Sequence, residues 1–249
     1  MLLRKRYALL LLILLLAACA SPATPEATPT VEQLYVAITP ALRPFQGALA
    51  HCSQAIPSAR LHTVERPASA LDTDEFDLSI RLGEPEDLPA FTAPLAGEKV
   101  VLITHPTNRV TSLTSEQLQA IFGGRAQSWA ELGGSDRAIE VWVGPPGDEV
   151  RQAFDRQVLN GGLVTPNARI APTPEAMLEA VSVTPGAIGY LPNAWLSESV
   201  QSLELGIELP VLALADGQPT GSARDLLACL QGAEAQAIIA VAYTPLNDN

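Results

Sequence analysis

Short unbroken apolar runs alternate along this chain with segments whose apolar residues recur at helical spacing, and that alternation limits the fold more than any other feature. Residues 34–38 (LYVAI), 99–104 (KVVLIT), 139–143 (IEVWV), 187–191 (AIGYL) and 209–214 (LPVLAL) read as strands, with shorter ones over 59–64 and 76–82. Between them lie helices with legible starts and stops. Thr39-Pro40 offers an N-cap and a proline at the first helical position, followed by an apolar stripe of Leu42, Phe45, Leu49 and Cys52 that Ile56-Pro57 ends. Thr114-Ser115-Glu116-Gln117 is a capping-box signature before a helix over 117–122, which Gly123-Gly124 stops. Further helices are predicted over 149–159, with Val150, Phe154 and Val158 on one face, and over 174–183, 223–230 and 234–242, with short helical turns over 68–71 and 129–132. Strands alternating with helices predict parallel sheets with covered faces, an α/β class.

The first 31 residues stand outside this pattern. Arg4, Lys5 and Arg6 precede an apolar stretch over 7–16, the order of a secretory signal, too short for a comfortable transmembrane helix. Leu16-Ala17-Ala18-Cys19 then resembles a bacterial lipobox. That resemblance implies cleavage after residue 18, a lipidated Cys19 at the mature N-terminus, and an exported protein anchored to the membrane on its extracytoplasmic side. Each methylene buried in the bilayer contributes about 0.8 kcal/mol, so several acyl chains hold a protein there. Residues 19–31, rich in Pro, Ala and Thr without hydrophobic period, read as an extended, solvated tether.

Charge and composition narrow the function. Against 15 Lys and Arg stand 27 Asp and Glu, a net charge of −12, and loss of the leader removes three of the basic residues and no acidic one. Such a surface excludes a nucleic-acid binder that works through a basic face. Three His and three Cys, far apart, predict neither a metal site nor any other bound cofactor. No Ser lies in a GxSxG elbow and no Walker loop is present, so nothing in the sequence supports catalysis.

Three segments carry a family likeness: LTSEQLQAIFGGRAQSWAELGG at 113–134, TPGAIGY at 184–190, and GAEAQAIIAVAYTPL at 232–246. In this order and spacing they resemble the phosphate-type solute-binding proteins of bacterial ABC importers. The resemblance implies a two-lobed, type 2 periplasmic-binding-protein-like fold, each lobe a mixed, mainly parallel sheet flanked by helices. Lobe one would comprise 32–103 plus 205–249 and lobe two 104–204, with crossing strands near 100–104 and 205–212 as the hinge. It also implies a monomer that binds a small-molecule solute between the lobes and delivers it to an ABC permease. The two remaining cysteines, Cys52 and Cys229, fall on apolar helix faces assigned to lobe one, in an oxidising compartment, and are expected to form a disulfide.

Relatives carry an Arg and then a Gly-Ser-Gly-Thr run after the strand equivalent to 139–143. Here the chain reads Val143-Gly144-Pro145-Pro146-Gly147-Asp148-Glu149-Val150-Arg151, one residue shorter, with Pro145, Asp148 and Val150 in place of the Arg, Ser and Thr. A carboxylate about 4 Å from a phosphate oxygen costs about 4 kcal/mol at intermediate dielectric, about three decades of affinity, which disfavours phosphate held in the usual manner. Asp148 and Glu149 are either first-turn acids capping the helix or cleft groups selecting a cationic or hydroxylated solute. Thr39, with Ala41, is either a plain N-cap or a donor to the ligand. Ser79 and Arg81 lie on a strand that resembles one delivering polar groups to the cleft, although Arg81 could instead pair with Asp77. Gly147 and Val150 complete the candidate binding set, in which Arg151 is the leading anion contact. An envelope interaction or sensory module with a degenerate cleft is the alternative function.

Overall fold

The computed structural model describes residues 31–71 and 73–246. The leader, Cys19 and the tether up to Thr30 lie outside the described residues. The strands are β1 (Glu32–Ile38), β2 (Ala59–Glu65), β3 (Leu78–Leu82), β4 (Phe91–Thr104), β5 (Glu140–Val143), β6 (Arg169–Ile170), β7 (Ala187–Pro192), β8 (Gln201–Ala215) and β9 (Thr244–Pro245). They form one mixed sheet in the order β2-β1-β3-β8-β4-β7-β5-β6, with β9 on β4. The helices are α1 (Gln46–Ala55), α2 (Ser115–Phe122), α3 (Glu149–Gln157), α4 (Pro174–Val183), α5 (Gly221–Gln231) and α6 (Ala233–Ile239). Two clusters of buried side chains, one large and one small, form the core.

The expected parallel pairing is found at the two flanks, where β1 lies between β2 and β3, and β5 between β6 and β7. The centre differs. There the long β4 and β8 run antiparallel from Phe91↔Ala215 to Thr104↔Gln201. β3 joins this ribbon along Val211–Leu214 of β8, and β7 joins it along Val100–Thr104 of β4, so the two flanks attach at opposite ends and opposite edges. The ribbon's register shifts between Val100 and Val101, where Leu205 and Gly206 of β8 have no partner and Gly206 takes a φ of 75° that glycine tolerates.

Local chemistry accounts for the elements beside the ribbon. The Thr114 capping box is complete: Gln117 N–H donates to Thr114 Oγ1 at 3.2 Å, and Thr114 N–H to Gln117 Oε1 at 2.8 Å. The stripe after Thr39 begins as a 3-10 helix, Pro40–Phe45, because Pro44 sits inside it and lacks an N–H, and continues as α1. Cys52 of α1 and Cys229 of α5 are joined by a disulfide, S–S 2.03 Å.

Period-two alternation divides the side chains of β1 and β3 between two faces. Leu34, Val36, Ile38, Leu78, Ile80 and Leu82 point into the main core with side chains of α1 and α5. Ala37↔Ser79 pairing puts the odd-numbered residues on the other face, and Ser79 and Arg81 therefore project away from that core. On α3, which packs against β3 and β8, Val150, Ala153 and Phe154 are buried.

Candidate functional site

Thr39 follows the last residue of β1 and is fixed by its N–H, which donates to Ile80 O at 3.2 Å. Ser79 and Arg81 come from β3, and Glu149 opens α3 beyond the carboxyl end of β5. The turn from β5 into α3 needs Gly147, which has a φ of 86° and whose missing Cβ would lie 3.3 Å from Cβ of Ser69. Four polar side chains from three elements are thereby buried: Thr39 and Ser79 at 0% exposure, Glu149 at 3% and Arg81 at 7%.

These groups are not satisfied by one another. Among the described residues, Thr39 Oγ1, Ser79 Oγ and Glu149 Oε1 are enclosed without a hydrogen-bond partner. The Arg81 guanidinium makes one hydrogen bond among the described residues, from Nε–H to Leu82 O at 3.3 Å, and no ion pair. Burial, reinforced by Asp148, pushes the Glu149 carboxyl up to about 7; the nearby Thr39 hydroxyl, the residue's own amide and Arg81 act in the opposite direction. Thr39 thus stands close enough to Glu149 to act on its charge, outside strict hydrogen-bond geometry. Burial lowers the Arg81 pKa, with Glu149 opposing and Arg156 adding to the effect. Each unpaired buried polar atom costs about 1–3 kcal/mol, so three of them on the side of the sheet that carries Arg81 mark a candidate binding site.

One residue along, the arrangement is the reverse. Asp148 is the N-cap of α3, its Oδ1 accepting the Arg151 N–H at 2.8 Å. Arg151 donates through Nε to both oxygens of Asp155, at 2.7 and 2.8 Å, and through a terminal nitrogen to Gly144 O at 3.0 Å. The Gly144 N–H donates to the Tyr190 hydroxyl at 3.3 Å, and Tyr190 stacks on Phe154. Asp148 therefore follows the capping reading, whereas Glu149 faces Thr39 and Arg81. The Arg151 guanidinium, the leading anion contact on sequence, is engaged within the protein. Val150 is core, and the Ala41 carbonyl is spent elsewhere. Asp77 accepts the Tyr35 N–H at 2.7 Å, and no ion pair joins it to Arg81.

Sequence reasoning missed a set of contacts that spans the two flanks of the sheet. Arg43, in the 3-10 helix after β1, pairs with Glu65 of β2 at 2.8 Å and with Glu175 of α4, and lies 5.6 Å over the ring of Trp195. The Trp195 indole N–H donates to Ala41 O at 2.7 Å. No local spacing announces these pairs; the one signal was a lone Arg beside the apolar stripe. Glu98 of β4 was missed as well. It is buried, it accepts the Ala194 N–H at 3.2 Å, and burial pushes its carboxyl up to about 8. Among the described residues no group of three or more His, Cys, Asp or Glu is placed to hold a metal ion, and no helix is long and apolar enough to cross a membrane.

The sequence matches the PBP superfamily domain over residues 61–235. It is 28% identical over 163 residues to the phosphate-binding protein PstS of Bacillus subtilis (strain 168), a match covering 58% of this chain and 54% of that protein, so the chain spans about half the length of this curated relative. The fold is similar to that of a Clostridium perfringens protein solved with bound phosphate and assigned as a phosphate ABC transporter substrate-binding protein. Its TM-score is 0.79 at 19% identity, with 87% of this chain and 100% of that one covered. An ABC-type phosphate transport receptor from Vibrio cholerae superposes with a TM-score of 0.70 at 18% identity, covering 86% of this chain and 100% of the receptor. Residues 61–235 make up more than half of the sequence, and the chain belongs to the PBP superfamily.

Proposed function

We propose that this protein is an extracytoplasmic solute-binding lipoprotein, tethered through Cys19, that encloses a small anionic solute and presents it to an ABC permease. The observation that carries the reading is the pair of buried hydroxyls without a partner among the described residues, Thr39 Oγ1 and Ser79 Oγ, on the side of the sheet that carries Arg81; the neighbouring Glu149 carboxyl, pushed up to about 7, accommodates an anion in its protonated form. The two flanks of the sheet act as the lobes, residues 32–103 plus 205–249 and residues 104–204. The register shift at Val100–Val101 and Gly206 serves as the hinge. Arg43, Glu175 and Trp195 hold the lobes together in the closed form, and solute binding shifts the balance towards it. No bond is made or broken in the solute, and the protein acts as a monomer.

The loop over 143–151 does not offer the usual phosphate donors. Asp148 and Arg151 are satisfied internally, so inorganic phosphate is not held by that loop in the manner of the family. The same observation favours a second reading, an envelope sensory or interaction module with a non-transporting cleft. Thermal unfolding of the full chain with inorganic phosphate, sulfate, amino acids and polyamines separates the two. A solute at a hundred times its dissociation constant adds about 2.7 kcal/mol. Stabilisation by at least one anionic solute, lost in Arg81→Gln, is the expected result, and no response to any of them favours the second reading.

A further inference from the structure

Arg81 lines more than the buried cluster. It also lines an open depression of about 660 Å³, bordered by the short helix at Ser69 and the segment carrying Pro85 and Leu88. Ser69 meets Gly147 at the mouth of α3, so this cavity lies against the candidate site rather than apart from it. Pockets that enclose multi-atom ligands measure about 300–1,000 Å³, and a lone inorganic oxyanion leaves most of such a space empty.

Its lining combines three kinds of group. Arg81 is 7% exposed, its two terminal nitrogens without a protein acceptor among the described residues. Leu71, Leu88 and Leu214 add aliphatic surface. The carboxylates Glu75 and Asp87, both at exposed positions, complete it towards solvent. A second anionic group on the solute would be repelled there, and an ammonium would be attracted.

Resting on the proposed solute-binding role, we infer that the solute is a short aliphatic zwitterion, with an anionic head on Arg81 and an amine at the Glu75 and Asp87 rim. The head is a carboxylate or a phosphate ester, and the body lies over the leucines. Inorganic phosphate, which lacks body and amine, is a poor ligand.

Calorimetric titration of the full chain with four probes tests this. Phosphoethanolamine and 4-aminobutyrate carry both charges, glycerol 3-phosphate carries only the anion, and inorganic phosphate has no body; comparing the first two assigns the head. At least one zwitterion should bind about ten-fold more tightly than glycerol 3-phosphate or phosphate. In the double variant Glu75→Gln, Asp87→Asn, both at exposed positions, zwitterion affinity should fall about five-fold and the preference over glycerol 3-phosphate should disappear. Arg81→Gln should lose every probe. Phosphate or glycerol 3-phosphate binding as tightly as the zwitterions, or a preference unchanged in the rim variant, would overturn this inference and leave the solute-binding role intact. Binding of none of the four would overturn the inference, and thermal unfolding with the oxyanions, amino acids and polyamines would then decide the role itself.

Discussion

Asp148 and Glu149 are adjacent acids at the start of one helix, and burial raises the pKa of both, yet their hydrogen-bond partners differ. Asp148 caps the helix backbone, and Arg151, Asp155 and the Gly144 carbonyl close the network around it. Glu149 lies near Thr39 and Arg81, where three buried oxygens have no partner among the described residues. The lesson is that the state of satisfaction, rather than residue type, separates structural polar groups from those kept for a ligand. A closed network stabilises the apo fold. An open one costs it stability, and that cost is recovered when solute binds.

The largest expected effect is on the open side. The Glu149 carboxyl keeps in the fold, up to about pH 7, a proton that an exposed Glu loses near 4.5. The native state then binds more protons than the unfolded chain across that window, so stability falls as pH rises from about 4.5 through 7, and the whole penalty is present above it. Glu149→Gln should remove that part of the slope, gaining on the order of 2–3 kcal/mol at pH 8 in solute-free protein. The remaining slope belongs to Glu98, whose carboxyl is pushed up to about 8, and to Asp148, whose pKa burial also raises. Thermal unfolding at pH 5 and pH 8 reads both; an unchanged slope in Glu149→Gln would place its carboxyl in a satisfied setting.

On the closed side, Arg151→Ala should destabilise by about 2 kcal/mol through loss of charge-assisted hydrogen bonds, while solute affinity changes less than three-fold. Denaturant unfolding beside calorimetry checks the pair of values, and a large loss of affinity with little loss of stability would reverse the assignment. Asp148→Ala should cost about 1 kcal/mol, the ordinary loss of an N-cap. The smallest effect has the opposite sign. Ser79→Ala removes an unpaired hydroxyl and should leave solute-free stability unchanged or raised by up to about 1 kcal/mol, yet weaken solute binding.

Much of the fold was legible in the sequence, and the limits have physical causes. β1, β5 and β7 at the flanks announce themselves as apolar runs, and Thr114 with Gln117 marks a helix start whose hydrogen bonds are both formed. Residues 91–98 of β4 and 201–208 of β8 were not read as strand runs because Pro94 and Gly97, then Gly206, interrupt them, residues that weaken an isolated strand. Long pairing between the two strands overrides that local penalty. β6 and β9, two residues each, carry no periodic signal at all.

The site was legible as a set of residues but not as an arrangement. Thr39, Ser79, Arg81 and Glu149 stand out as polar residues beside buried strands and at a helix start. The engagement of Arg151 with Gly144 O and Asp155, however, depends on a turn geometry that spacing alone does not give. Arg43 and Glu175 are brought together only by tertiary folding.

A crystal structure of the full chain with a bound anionic solute tests the central claim most directly. The anion should lie within about 3.2 Å of the Arg81 guanidinium and of at least one of Thr39 Oγ1 and Ser79 Oγ, with the Asp148–Arg151–Asp155 network unchanged. An anion seated instead on Arg151 and the 144–148 turn, with that network broken open, would contradict it.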